Sequence, residues 1–215
     1  MRQFLKPYLL LSSSLICLLF VSCRISKFKH PLQSNQCIIT QNQIQPIFDE
    51  NKAAKFKATV DVLKNHLSGI IIVKKTDSLT THIIFVTEIG MKMFDFEWIN
   101  GNMRTAYVFE PLNKVAWRGI LQENFKQMFL LDVFNAHATW HTNKSIKSYY
   151  ELDEFKHRYM IADSLKTIEA QYIFHKHKKS CLINYIFVPE TKTYQQIKST
   201  QFGFIKIRME LNRID

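Results

Sequence analysis

From Phe56 onward the sequence obeys a period of two. Phe56, Ala58, Val60 and Val62 alternate with Lys57, Thr59 and Asp61, which is the pattern of a strand with one face buried. An apolar run, Leu67–Val73, follows, and Ser68-Gly69 inside it reads as a bulge or a close backbone approach. Thr76-Asp77-Ser78 predicts a tight connection to a strand over Thr80–Glu88. Met91–Trp98 then places Phe94, Phe96 and Trp98 on one face. Asn100-Gly101 is a two-residue hairpin signal, because both residues tolerate positive φ. Met103–Phe109 is the return strand. The stretch predicts a meander of about five antiparallel strands.

Pro111 closes that meander, and the period lengthens. Between about Asn113 and Leu131, the residues Trp117, Ile120, Leu121, Phe125, Met128 and Phe129 recur at helical spacing. Gly119 sits inside this segment and suggests close packing on the sheet. Residues 135–145 are polar and read as a loop. Strand patterns resume at Ser148–Leu152, Arg158–Ala162, Thr167–His175, Cys181–Val188, Thr193–Ser199 and Phe204–Leu211. The fold class is therefore mainly β (α+β). The expected architecture is one strongly curved antiparallel sheet, an open half-barrel, with one main amphipathic helix packed on its concave side.

The N-terminal region carries an address. Arg2 and Lys6 precede an apolar run, Tyr8–Val21, and Phe20-Val21-Ser22-Cys23 ends it with a small residue before a cysteine. Basic, apolar and small-residue regions in that order form a secretory pattern. The run is 14 residues long, about 21 Å as a helix. That is short of the ~30 Å hydrocarbon core. The last four residues resemble a lipobox. That resemblance implies residues 1–22 as a lipoprotein signal peptide, acylation of Cys23 by chains such as palmitate, and membrane attachment outside the cytoplasm. Residues 23–50 are rich in Gln and Asn without a sustained period and read as the lipidated cysteine and a flexible tether. Residues 51–215 then form a single domain. The absence of an acidic run after Cys23 favours an outer-membrane anchor facing the periplasm.

The chain carries a formal +11, of which Arg2 and Lys6 lie in the signal, leaving about +9. A basic protein at a membrane suits anionic headgroups. Nucleic acid is excluded as a partner for want of any recognition motif. Of four cysteines, Cys17 lies in the signal and Cys23 is the lipid site. Cys37 and Cys181 remain, and two free thiols are favoured over a disulfide.

No catalytic signature emerges. His175 and His177 share a strand face but are surrounded by Lys176, Lys178 and Lys179, so a solvated hairpin tip explains them better than a metal site. His137 and His141 lack both a third ligand and the intervening Glu of a metalloprotease. Asp95 and Glu97 alternate with Phe94, Phe96 and Trp98, which reads as the solvent face of a half-buried strand. No enzyme activity, metal or cofactor is expected. The candidate ligand-cavity residues are Met91, Met93, Phe94, Phe96, Trp117, Leu121, Phe125, Met128 and Phe129. An ordinary packed core is the competing reading of the same set.

Three segments carry a family likeness: Phe56–Asp61, His66–Lys74 and Glu88–Phe96, extended by the helix through Phe125 and Leu130-Leu131. They resemble bacterial lipoproteins of the Bacteroidetes type that have the unclosed half-barrel fold of the LolA/LolB lipoprotein carriers. The likeness covers about a third of the chain. It implies an apolar cavity for acyl chains and a protein that binds or handles a lipid or lipoprotein without covalent chemistry. The alternative is a structural or accessory envelope lipoprotein that docks another envelope protein.

Overall fold

The computed structural model describes residues 33–40, 43–62, 65–77, 79–113, 115–134, 136–142, 148–152, 158–176, 178–203 and 205–215. In chain order the strands before the helix are β1 (Gln33–Ile38), β2 (Ala54–Val62), β3 (Asn65–Lys75), β4 (Thr80–Thr87), β5 (Lys92–Ile99) and β6 (Asn102–Val108). Helix α1 (Val115–Met128) is followed by β7 (His137–Thr142), β8 (Ser148–Leu152), β9 (Arg158–Ala162) and β10 (Ile168–His175). The last three strands are β11 (Lys178–Val188), β12 (Thr193–Gln201) and β13 (Ile207–Arg213). Residues 1–22, expected to be a signal peptide, and Cys23 lie outside the described residues.

All thirteen described strands join one open antiparallel sheet in the order β1-β7-β8-β9-β10-β11-β12-β13-β2-β3-β4-β5-β6. Each meander pairs within itself, and the pairing of β13 with β2, centred on Glu210 opposite Thr59, fuses the two. Chain order then requires α1 to carry the backbone from β6, at one edge, to β7, next to the other. The inward positions are apolar along nearly the whole sheet, including Phe56, Ile71, Phe85, Phe96, Met160, Ile183, Ile197 and Leu211. A sheet of this width buries that many inner residues around one helix only by curving over it.

Two expectations are corrected. The segment 135–145, read as a loop, contains β7, and the stretch 23–50, read as a flexible tether, contains β1. Their registered pairs include Cys37 with Ala138 and Asn35 with Trp140. These strands are short and polar because they sit at the sheet margin, where backbone pairing and a few inward side chains suffice. The chain after β1 is also anchored: Ile39, Ile44 and Ile47 are buried, and the Ile39 amide donates to the Ala136 carbonyl at 3.0 Å. The ordered domain therefore begins well before residue 51.

Glycines mark two local requirements. Gly69 allows β3 and β4 to approach, since a Cβ there would lie 2.0 Å from the Val86 carbonyl oxygen. Register is unbroken at Gly69, so it marks a close approach and no bulge. Gly119 is exposed on α1 and a Cβ there would meet open space, so it is not a packing contact. Gly119→Ala is therefore expected to stabilise the protein by up to about 1 kcal/mol, seen as a rise in melting temperature.

The C-terminal end of α1 is fastened to the second meander by buried polar groups. The Gln127 carbonyl accepts from Arg158 Nη2 at 3.3 Å and from Gln171 Nε2 at 3.0 Å. The Tyr185 hydroxyl is shared between the Gln127 and Met128 carbonyls at 3.3 and 3.1 Å. Gln171 also donates to the Tyr185 oxygen. Arg158 completes the set through Nε to Gln171 Oε1 at 2.6 Å and Nη1 to Asp132 Oδ1 at 2.7 Å. These donors satisfy carbonyls that a helix end leaves without partners, and the guanidinium complements the negative end of the helix dipole.

Cys37 and Cys181 are both free thiols. Four strands separate β1 from β11 in the sheet order, so no bridge can form between them. Burial pushes both thiols above their ordinary pKa.

Candidate functional site

The helical period ends at Met128, but the apolar sequence continues as Phe129-Leu130-Leu131 and then Val133-Phe134. The backbone turns there in a Schellman-type arrangement. The Leu131 amide donates to the Lys126 carbonyl at 3.0 Å and the Leu130 amide to the Gln127 carbonyl at 3.3 Å. Leu130 takes φ of 56°, the left-handed position usually given to glycine. A leucine there costs about 1–2 kcal/mol of backbone strain, and its complete burial offsets that cost.

This turn forms one wall of a cleft of about 540 Å³. Ile47 and Phe48, from the chain after β1, form a second wall. Lys75 and Leu79 contribute from the β3–β4 connection, and Trp98, Asn100 and Gly101 from the β5–β6 turn. Its lining mixes apolar and polar groups in about equal measure. At the rim Lys75 Nζ lies 2.7 Å from Glu50 Oε2. Asp132 also borders the cleft. Burial alone would raise its carboxyl pKa, but the charge and hydrogen bond of Arg158, with help from Lys126, hold it below the ordinary value.

Inward of the cleft aromatic rings pack against one another. Phe94 stacks on Phe96 with centroids 4.6 Å apart, and Phe85 lies 5.3 Å from Phe94. Phe125 of α1 meets Phe94 at 5.2 Å, Phe96 at 6.4 Å and Phe129 at 6.3 Å. Phe129 in turn meets Phe56 at 5.9 Å and Phe48 at 6.3 Å. The aromatic chain thus runs from the sheet, through the helix, to the cleft wall.

No family model matches the sequence, and no curated protein matches it. Among solved structures, a LolA superfamily protein from Nitrosomonas europaea is similar with a TM-score of 0.52 at 10% identity, covering 83% of this chain and 93% of that one. The fold is LolA-like. A DUF1329 family protein from Desulfovibrio piger is similar at a TM-score of 0.41 and 7% identity, over 78% of this chain and 85% of that one.

Within the LolA-like sheet the expected cavity residues divide. Met93, Phe94, Phe96, Leu121, Phe125 and Met128 are buried in the core. Trp117 packs against that core while partly exposed, and Met91 is 40% exposed at the β4–β5 turn. Phe129 alone of the set borders the cleft. The other wall residues, above all Ile47, Phe48, Leu130 and Phe134, lie in segments without strand or helix period. The apolar run after α1, interrupted by Asp132, was the sequence signal for Leu130 and Phe134.

Asp95 and Glu97 are not a solvated face. Asp95 is only 8% exposed and pairs with His82 at 3.1 Å and Lys92 at 3.4 Å. Glu97 pairs with Arg104 at 2.7 Å. On the outer surface of the LolA-like sheet both carboxylates thus have basic partners, Lys92 and the His82 imidazole for Asp95 and Arg104 for Glu97. Among the described residues no His, Cys, Asp and Glu come together as a metal site. His137 and His175 are exposed, while His177 and the His141 side chain lie outside the described residues.

Proposed function

We propose that this protein is a membrane-anchored lipoprotein of the cell envelope that holds a lipid or acyl chain in its cleft and performs no covalent chemistry on it. The observation that carries the reading is the cleft at the end of α1 in a LolA-like sheet, lined by apolar and polar groups together. Its volume, about 540 Å³, lies inside the ~300–1,000 Å³ typical of small-molecule sites. A lining of both kinds fits an amphiphile. The lipobox-like Phe20–Cys23 and the basic charge support attachment through acylated Cys23 to the outer membrane, facing the periplasm.

The expected result is one lipid per chain in native mass spectra of the full-length protein. Ala136→Phe, which pushes a ring into the cleft, should remove that lipid while leaving the circular dichroism spectrum unchanged. Equal occupancy in both proteins would sink the cleft as the binding site. Metabolic labelling with an alkyne palmitate should mark the wild type, and Cys23→Ala should abolish the mark.

A second reading, docking to another envelope protein, is favoured by one observation on the outer face. Ile70, Ile72, Ile84 and Val86 are partly exposed there, and they form two adjacent register pairs, Ile70 with Val86 and Ile72 with Ile84. Affinity purification from envelopes should return one stoichiometric partner that Ile72→Lys loses. An unchanged partner list would remove this reading.

A further inference from the structure

The three strands beside the cleft each carry an inward series that ends differently from how it begins. In β3 the inward residues are Ile71 and Val73, both fully buried, and then Lys75. In β4 they are Phe85, Ile83 and then Thr81, and in β5 they are Phe94, Phe96 and then Trp98. Register places the three terminal residues in one row, with Lys75 opposite Thr81 and Thr81 opposite Trp98. All three border the cleft. Side chains of directly opposed residues stand about 5 Å apart at Cβ. An ammonium, a hydroxyl and an indole therefore lie side by side, at the ends of three inward series that are otherwise apolar.

From this row we infer that the cleft takes an amphiphile with an anionic headgroup, a carboxylate or a phosphate, seated on Lys75 and Thr81, with its chain running along the partly exposed Phe48, Leu131 and Phe134. The inference rests on the lipid-cleft reading above and adds the polarity of the ligand and its orientation. Lys75 selects the sign, as the cation among the residues that line the cleft. The lining carboxylates are both engaged, Glu50 by Lys75 at 2.7 Å and Asp132 by Arg158 at 2.7 Å and Lys126 at 3.6 Å, with Lys126 shared with Glu123 at 2.7 Å. Asp132 is engaged from behind by its own partners. Glu50 is the resident counter-ion of Lys75, and its side chain is 48% exposed against 23% for the lysine. Exposed ion pairs contribute only about 0–1 kcal/mol, so an incoming anion can replace Glu50 and release it to water. The lysine keeps its place because it ends a paired strand.

The test uses the full-length protein in nanodiscs of phosphatidylcholine and two photoprobes. One is palmitic acid with a diazirine near the methyl end, and the other is the matching alcohol. After irradiation, mass spectrometry of peptides should place the acid on the segment Phe129–Phe134 and on Ile47-Phe48. Lys75→Gln should lower labelling by the acid about ten-fold, the scale of one charge-assisted contact, and leave labelling by the alcohol unchanged. Lys75→Arg should retain labelling by the acid, and Glu50→Gln should raise it. A long-chain alkyl phosphate should compete with the acid, while inorganic phosphate should not. Equal labelling by acid and alcohol, unaffected by Lys75→Gln, overturns the headgroup assignment and leaves the lipid cleft standing. Competition by inorganic phosphate as strong as by the alkyl phosphate overturns the amphiphile in favour of a free anion. Absence of label from the cleft peptides with both probes overturns the lipid cleft as well.

Discussion

Phe125→Ala should lower the unfolding free energy by about 3–5 kcal/mol, the range for deleting a buried aromatic ring. The ring is fully buried and sits between Phe94, Phe96 and Phe129, at 5.2, 6.4 and 6.3 Å. Its neighbours come from β5 and from the turn after α1, so removing it uncouples the helix from the first meander on one side and from the cleft wall on the other. The surrounding rings are held by their own contacts and cannot collapse into the space, which places the cost toward the upper part of the range. Urea unfolding should show a lower midpoint with an unchanged slope. A loss below about 1 kcal/mol would mean that the aromatic chain does not join helix and sheet.

Arg158→Ala should cost a similar amount, about 3–5 kcal/mol, by a different route. Arg158 is 7% exposed, and its guanidinium serves Asp132, Gln171 and the Gln127 carbonyl at once. Alanine leaves the Asp132 carboxylate and the Gln171 amide oxygen short of a donor, while the Gln127 carbonyl keeps Gln171 and Tyr185, and that deficit exceeds the lost packing. The pH dependence separates the two routes. Asp132 is held below its ordinary pKa in the folded protein. It therefore contributes stability above the unfolded value of about 3.9, and that contribution disappears as pH falls through the lower, folded value. Wild-type stability should decline across that acid range, whereas Arg158→Ala should lose this part of the slope and Phe125→Ala should keep it. A mutant slope identical to wild type would show that Arg158 does not hold Asp132 ionised.

Much of the fold was legible because alternation reports directly on which side of a strand is buried. The predicted bounds of Ser148–Leu152 and Arg158–Ala162 coincide with β8 and β9, where burial alternates residue by residue in Arg158–Ala162. The same logic fails for β1 and β7. Gln33–Ile38 and His137–Thr142 contain few apolar residues, and their pairing is a backbone affair that leaves little trace in side-chain periodicity. The cleft was harder still. Periodicity shows that Phe94, Phe96 and Phe125 face inward, but not that they pack against one another. The wall needs Ile47 and Phe48, Trp98 and the residues after Met128, which only the folded topology assembles. Lys75 illustrates the limit. In the sequence it is half of a basic dipeptide that ends an apolar run, and only the register of β3 with β4 turns it inward beside Thr81.

The early start of the ordered domain has a mechanical consequence. With Cys23 acylated as proposed, a linker over 24–50 would have 27 residues, whereas β1 begins at Gln33 and leaves nine. Even at full stretch nine residues cover only about 30 Å. The sheet would ride on the membrane on a short leash, with a local concentration of lipid around its cleft that no long tether could maintain. A protein held this way would exchange cargo with the bilayer to which it is bound, and reaching a second membrane would fall to a separate, diffusing partner.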